Sequence, residues 1–372
     1  MTDILEKKRL HSLDAFRGFT IAAMIVVNSP GDWDHVFAPL KHSAWNGCTP
    51  TDVVFPCFIF MMGISIVFAF STKRLDKTQH AGIISKAFRR MLTLIGIGLG
   101  LQLFYHFSFS EIRYPGVLQR IGIVYFLTTL LYIKLADKML PYILSGILAG
   151  YYLLACIIPG SGLAAMTPEQ NIGAWFDHLV IPASHLAKFA YTDPCGLLGT
   201  LPTVGSAILG LLAGLVLKNK SLQPENKAAY LLIAVNLLIL SGLIVNLFFP
   251  FNKPLWSSSY VLYTGGICMV AFAIFYWFID IKEFNGKCWL LTVLGMNAIS
   301  SYVLSEALPA LLNLIVIKRG GQSAEGLKIF DLLFFLKIFS EEWASLFSAF
   351  IFLLMIWAIM YIFYRKKWII KI

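Results

Sequence analysis

Three polar side chains that could carry out acid–base chemistry lie at the edges of long apolar stretches. Asn28 ends the first apolar stretch, His42 precedes a Trp-Asn-Gly turn, and Asp52 lies just inside the second stretch. An imidazole can take a proton from a nucleophile, and a carboxylate can orient that imidazole. Asp52 can instead complement the positive end of a helix that begins at Thr49 or Thr51. The spacing leaves His42 open as either a catalytic base or a solvated loop residue.

The elements that must position these groups are transmembrane helices. The chain has 372 residues, of which 58% are hydrophobic and 13% charged, whereas soluble domains carry about a quarter charged residues. Its apolar stretches are about 20 residues long, which suits helical spans and not the short alternating strands of a β-barrel. We predict an all-α, polytopic transmembrane bundle that forms one domain over residues 1–372. The ten expected spans are 14–29, 51–71, 89–108, 115–133, 139–158, 196–217, 229–249, 257–279, 289–315 and 343–364.

The net charge of +10 is explained by topology and does not indicate nucleic-acid binding. Most of the 30 Lys and Arg residues lie in the segments on one side of the predicted membrane. These segments begin with residues 6–9 and end with the basic C-terminus. Because cytoplasmic loops are enriched in Lys and Arg, both termini are predicted to be cytoplasmic. The loop that carries His42 is then on the outer side.

The six cysteines show no Cys-x-x-Cys motif and no metal-ligand spacing, so no metal site is expected. Cys48 and Cys195 are both predicted to lie on the outer side, and a disulfide between them is left open.

The first span carries charge near its start. Ser12 or Asp14 could cap the helix by accepting backbone N–H groups. Arg17 could pair with Asp14 at the i, i+3 spacing, or it could bind a phosphorylated ligand that enters from the cytoplasm.

Polar residues also interrupt later spans. Arg120 lies inside the fourth span, where it requires either a carboxylate partner or a polar cavity. Pro202 is expected to kink the sixth span and to border a cavity. Asn297 and Ser301 share one face of the ninth span, where hydrogen bonding between helices is the simplest interpretation.

A further polar group precedes the eighth span. It comprises Asn252, Lys253, Trp256, Ser258, Ser259 and Tyr260. An aromatic belt at the membrane interface would explain Trp256 and Tyr260 but not the Asn-Lys pair. Polar groups at both ends and through the middle of the bundle indicate a through-membrane cavity, in which a molecule could be moved or chemically changed.

Six blocks of the sequence together resemble a known family. In order they are SLDAFRG, HSAWNGCTPTDVVFPCFIFMMG, GVLQRIG, DPCGLLGTLP, FNKPLWSSSYVL and GMNAISSY, between residues 12 and 306. They are similar to the blocks of the heparan-α-glucosaminide N-acetyltransferase family, which are transmembrane acetyl-CoA-dependent acetyltransferases with bacterial relatives.

The resemblance implies roles for particular residues. It places the active-site histidine at His42 and its partner asparagine at Asn28. It implies that acetyl-CoA enters from the cytoplasm and that a glucosamine amine accepts the acetyl group on the outer side of a bacterial inner membrane, in a dimeric protein. Residues inside the matched blocks are the candidate cofactor contacts, namely Arg17, Arg120, Asn252, Lys253, Trp256, Ser259 and Asn297.

The expected reaction is N-acetylation, with His42 as general base or as a covalent acetyl carrier and with Asp52 orienting its ring. Asn28 or N–H groups at the start of the second helix would stabilise the oxyanion. Two alternatives remain: a sugar or amino-sugar transporter, which the lack of an internal repeat disfavours, and an O-acyltransferase that acts on a surface glycan.

Overall fold

The computed structural model describes residues 10–106, 108–156, 166–188, 190–284, 288–319, 322–335 and 338–370. Residues 6–9, which begin the predicted cytoplasmic charge pattern, lie outside these ranges, as does part of the loop between the fifth and sixth predicted spans. The described chain is helical apart from one short hairpin, β1 (Val316–Arg319) paired antiparallel with β2 (Gln322–Glu325). The helices are α1 His11–Asn28, α2 Pro50–Phe70, α3 His80–His106, α4 Val117–Lys134, α5 Leu140–Cys156, α6 Ile172–Val180, α7 Thr200–Lys218, α8 Pro224–Asn246, α9 Ser258–Tyr276, α10 Trp289–Met296, α11 Ala298–Leu312, α12 Lys328–Phe330 and α13 Glu341–Arg365.

The predicted all-α polytopic architecture is confirmed, and each of the ten expected spans has a helical counterpart. In the described ranges, eight helices are long and apolar enough to cross a membrane, and a ninth span forms if α10 and α11 are counted together. The remaining prediction corresponds to α1, whose 18 residues include Asp14 and Arg17 and which is therefore less apolar.

The ninth span was predicted as one continuous segment over 289–315, and this is wrong. The chain bends by 79° between α10 and α11. Asn297 lies at the bend, where its side-chain amide donates to the carbonyl of Trp368 at 3.0 Å and accepts from the N–H of Ile370 at 3.0 Å. The polar side chain at the break is thus bonded to the C-terminal tail.

Glycines allow the central helices to cross closely. A Cβ atom added to Gly63 of α2 would lie 2.1 Å from the carbonyl oxygen of Ala207 in α7, and one added to Gly210 would lie 2.0 Å from that of Phe60. Such distances leave no room for a side chain, so α2 and α7 pack backbone to backbone in the manner common between membrane helices.

The first two helices run in opposite directions. Arg17, near the start of α1, donates to the hydroxyl of Ser65, near the end of α2, at 3.1 Å. The predicted Asp14–Arg17 pair is confirmed, with Nη1 and Oδ1 3.1 Å apart. This arrangement places Asn28 and Asp52 at the same end of the bundle and Arg17 at the other.

Two local predictions about helix ends are wrong. Neither Ser12 nor Asp14 caps α1; the carboxylate of Asp280 does, accepting the N–H groups of His11 and Ser12 at 3.2 and 3.1 Å. Pro202 does not kink a helix, because α7 begins at Thr200 and the proline lies in its first turn, where its missing N–H has no helical partner to lose.

The loop after α1 is fastened to the last helix. Asp32 exchanges hydrogen bonds with Ser345 of α13 through its backbone N–H and carbonyl, both at 3.0 Å. Its carboxylate contacts Lys328 at 2.7 Å and His35 at 3.2 Å, and the other ring nitrogen of His35 contacts Glu341 at 2.7 Å. We refer to these five residues as the loop latch. The latch fixes the segment that leads directly to His42.

Loss of the distant cap is expected to destabilise the fold. Asp280→Ala removes the acceptor for two N–H groups of α1 and should cost about 1 kcal/mol, measured as a lower melting temperature in detergent. Asp280→Asn keeps one acceptor and should cost less. A melting temperature for Asp280→Ala equal to that of the wild type would contradict this role.

The contribution of His35 to the loop latch should depend on the charge of its ring. The hydrogen bond to Asp32 raises the pKa of His35 above its ordinary 6.5, and Glu341 adds to the effect. A raised histidine pKa contributes stability below 6.5 that is lost as the pH rises through the raised value. His35→Gln should therefore lower the melting temperature in acid and leave it nearly unchanged in alkali. An equal decrease at both ends of the pH range would show that the charge of His35 does not matter.

Candidate functional site

The candidate site is built around a contact between His42 and Asp52. The Nδ1 atom of His42 lies 2.7 Å from Oδ1 of Asp52. An ionised carboxylate can only accept hydrogen bonds, so Nδ1 must carry the proton and donate it. The neutral ring then has its lone pair on Nε2, which has no hydrogen-bond partner among the described residues. Since the side chain of His42 is 48% exposed, this basic nitrogen is open to a reactant.

The carboxylate that orients His42 is itself almost fully buried, with its side chain 1% exposed. Its second oxygen accepts the N–H of Ser43 at 3.1 Å, the N–H of Thr49 at 3.1 Å and the hydroxyl of Thr49 at 3.0 Å. Thr49 is the N-cap of α2 and is one of the two residues that the sequence indicates as candidates for that cap. Asp52 therefore has both of the roles that the sequence left open. One carboxylate oxygen caps the N-terminus of α2, and the other orients the imidazole of His42.

Lys253 completes this group from a distant part of the chain. Its ammonium lies 3.4 Å from Oδ1 of Asp52 and 3.1 Å from Nδ1 of His42. Because Nδ1 already donates to Asp52, the lysine and the imidazole share the carboxylate and do not bond to each other. Burial lowers the pKa of Lys253, and the charge of Asp52 opposes that shift. The cation thus neutralises a buried anion beside the imidazole.

The loop that carries Lys253 is joined to the loop that carries His42. Asn252 donates to the carbonyl of Trp45 and to the side chain of Asn46, both at 3.2 Å, and accepts the N–H of Leu255 at 2.8 Å. Ser259 lies 3.0 Å from another hydroxyl of the same segment. The buried side chain of Asn252 therefore joins the two loops, whereas the buried hydroxyl of Ser259 contacts only its own segment.

An aromatic belt at the membrane interface is the wrong explanation for Trp256 and Tyr260, because both side chains are fully buried. The hydroxyl of Tyr260 donates to the backbone carbonyl of Asp52 at 2.6 Å, and the indole N–H of Trp256 donates to Ser206 at 3.0 Å. Trp256 has a φ of 56°, which is rare for a bulky residue and indicates a backbone held in place by its surroundings. The buried rings of Trp256 and Tyr260 therefore support the His42–Asp52 site from the interior of the bundle.

Other predicted site residues lie elsewhere. Asn28 is exposed at the end of α1, on the side of the bundle that carries His42. Arg17 lies near Ser65, which is 13 positions after Asp52 along α2, or about 20 Å at the rise of a helix. Asn297 lies near Arg17, since the guanidinium reaches the carbonyl of Gly295 at 3.5 Å.

Arg120 is 1% exposed and forms no ion pair within the described part of the chain. Its Nη2 donates to the carbonyl of Gly196 at 2.7 Å, and its guanidinium carbon lies 5.4 Å from the centre of the Trp256 ring. Of the two alternatives for Arg120, a direct carboxylate partner is therefore not found among the described residues. Sequence reasoning missed Asp177, a buried carboxylate in α6, because no motif surrounds it.

Two further expectations concern metals and cysteines. The described residues contain no cluster of His, Cys, Asp or Glu that could hold a metal ion. Cys48 and Cys195 are free thiols, so the bridge left open by the sequence does not form here, and burial raises the pKa of Cys48 to about 12.

Comparisons with known proteins agree with the resemblance of the sequence blocks. A family model described as "Heparan-alpha-glucosaminide N-acetyltransferase, catalytic" matches residues 9–242. The human protein of the same name is 29% identical over 79% of this chain and 52% of its own length, and the mouse protein is 28% identical over 81% and 54%. The chain thus spans about half the length of these curated relatives. Since the family model covers more than half of the chain, including both His42 and Asp52, the chain belongs to the heparan-α-glucosaminide N-acetyltransferase family.

Proposed function

We propose that this protein transfers the acetyl group of acetyl-CoA to the amine of glucosamine or of a glucosamine-ended glycan. The observation that carries the proposal is the His42–Asp52 contact of 2.7 Å, which leaves a basic nitrogen on an exposed ring. The names of the human and mouse relatives agree with this acceptor class.

In the direct route, His42 acts as general base. The amine nitrogen attacks the acetyl carbonyl and Nε2 takes a proton from that nitrogen. The imidazolium then returns the proton to the sulfur as the C–S bond breaks, so that CoA leaves as the thiol. Asp52 stabilises the imidazolium that forms, and Lys253 balances the charge of Asp52. In the alternative route, Nε2 attacks the thioester first, the C–S bond breaks and CoA leaves as the thiolate. The acetyl group stays on Nε2 until the amine attacks it, which breaks the N–acetyl bond and releases the imidazole.

The oxyanion that forms on the acetyl carbonyl requires a hydrogen-bond donor. Asn28 is at the same end of the bundle as His42, and its side-chain amide can supply such a donor. A single donor of this kind contributes roughly 3 kcal/mol to the stabilisation of the transition state.

The proposed path of CoA runs along α1 and α2. Arg17 supplies a cation about 20 Å from Asp52, measured along the helix axis, so the phosphates can bind at one end while the thioester reaches His42 at the other. The cytoplasmic entry of CoA, the outer position of the acceptor, the homodimer and the bacterial inner membrane are parts of the same proposal. They are supported by the charge asymmetry of the loops and by the family resemblance.

Purified protein in liposomes tests the proposal directly. Labelled acetyl-CoA is supplied on one side, and glucosamine, N-acetylglucosamine or a glucosamine-ended oligosaccharide on the other. Acetylation of the amine-bearing acceptors alone supports N-acetyl transfer. Acetylation of N-acetylglucosamine would favour O-acylation, and sugar uptake without acetyl-CoA would favour a transporter.

Removal of the imidazole should abolish transfer without unfolding the protein. His42→Ala is expected to lower the rate by at least about 10²-fold, since general bases typically contribute 10²–10⁴. The protein should still fold, with a modestly lower melting temperature, because Ser43, Thr49 and Lys253 continue to compensate the buried carboxylate of Asp52. His80→Gln, at the other end of the bundle, is the matched control and should retain activity. An active His42→Ala would remove the proposed mechanism.

Asp52→Asn tests the orientation of the ring separately. The amide would donate to Nδ1 and force the proton onto Nε2. The basic nitrogen would then be Nδ1, which faces residue 52 and not the reactant. The turnover rate at saturating acetyl-CoA should fall by about 10²–10⁴-fold, as expected when an imidazole is held in the wrong tautomer. CoA affinity, measured by calorimetry, should stay unchanged. Turnover equal to that of the wild type would show that Asp52 only caps the N-terminus of α2 and does not orient the His42 ring.

A further inference from the structure

Arg120 is a buried cation whose charge needs compensation. Its Nε and Nη1 atoms have no hydrogen-bond partner within the described ranges, and Nη2 bonds only to the Gly196 carbonyl. An isolated buried charge is strongly unfavourable unless an opposite charge or oriented dipoles balance it. The face of Trp256 supplies part of this balance, because aromatic rings attract cations.

Asp177 supplies the opposite charge through a single peptide group. Its Oδ1 atom accepts the N–H of Leu197 at 2.8 Å, while the carbonyl of the preceding Gly196 accepts from Arg120 at 2.7 Å. Those two groups belong to one peptide bond, so its dipole points its oxygen at the cation and its N–H at the anion.

The contact depends on a glycine. A Cβ atom added to Gly196 would lie 2.0 Å from Oδ2 of Asp177, an atom that has no hydrogen-bond partner in the described segments. Burial raises the pKa of Asp177 to about 6, and the charge of Arg120 opposes the rise. The carboxylate is therefore packed directly onto the peptide that it shares with Arg120.

The Arg120–Asp177 pair is connected to the candidate site through the loop 249–256. Arg120 lies over Trp256, whose unusual φ of 56° is held by its buried contacts. Tyr151 donates to the carbonyl of the neighbouring Leu255 at 2.7 Å. Three residues before Trp256, the same loop carries Lys253, which contacts Asp52 at 3.4 Å.

We propose that Arg120 and Asp177 are positioning residues that act as a peptide-bridged pair, holding the loop 249–256, and with it Lys253, against His42 and Asp52. In this role Arg120 does not contact CoA. Its effect on turnover rests on the proposed acetyl transfer, whereas the pairing itself does not.

The experiment uses the full-length wild type, Arg120→Gln, Asp177→Asn and the double variant. Asp177→Asn keeps the shape and the acceptor for Leu197 but removes the charge. Each single variant should lower turnover at saturating acetyl-CoA by about tenfold or more and leave the Kd for CoA within about twofold. The double variant should be no worse than the poorer single variant, in turnover and in melting temperature.

The possible outcomes separate the roles. A Kd for CoA raised about tenfold in Arg120→Gln, with unchanged turnover at saturation, would place Arg120 on the cofactor and overturn the proposal. Additive losses in the double variant would overturn the pairing. If Arg120→Gln does not fold, unchanged turnover in Asp177→Asn overturns the proposal and lost turnover with unchanged Kd supports it. If the wild type transfers no acetyl group, the proposed function fails, and the melting temperatures of the four proteins still test the pairing.

Discussion

The candidate site depends on one buried carboxylate, that of Asp52. A carboxylate removed from water is strongly unfavourable unless hydrogen bonds and an opposite charge replace the lost solvation. Here two backbone N–H groups, a hydroxyl, an imidazole and an ammonium do so. One oxygen serves the backbone at the start of α2, and the other serves His42 and Lys253. The orientation of the candidate base is thereby coupled to the same interaction that begins a membrane helix.

The bundle supports this carboxylate from two further directions. Tyr260, in the first turn of α9, donates a hydrogen bond to the backbone carbonyl of Asp52. Asn252 joins its own loop to the loop that carries His42. The loop latch holds the opposite side of the His42 segment against α13. Since loops are usually the mobile parts of a protein, fastening them to three helices is the way in which this fold can keep a loop histidine in one geometry.

Features set by local spacing could be predicted from the sequence. The Asp14–Arg17 pair, a threonine cap at the start of α2 and the helical stretches all follow from neighbours a few positions apart. Features set by tertiary contacts could not. Asp280 caps a helix 268 positions away from it, counted from Ser12, and Asp177 compensates Arg120 only because one peptide lies between them. Trp256 was misplaced for a related reason, since an aromatic residue before a span has the same local pattern at an interface and in a buried core.

The position of Arg17 relative to Asp52 is a consequence of helix geometry. Asp52 lies in the first turn of α2, and Ser65, which bonds to Arg17, lies in the same helix 13 residues later. A single helix therefore sets the separation between the group that would take a proton and the cation that would bind a phosphate. An elongated ligand that is anionic at one end and reactive at the other fits such a separation, whereas a single free sugar is too short to contact both. Gly63 and Gly210 let α2 pack against α7 at backbone distance, so the helix that sets this separation is held in the centre of the bundle.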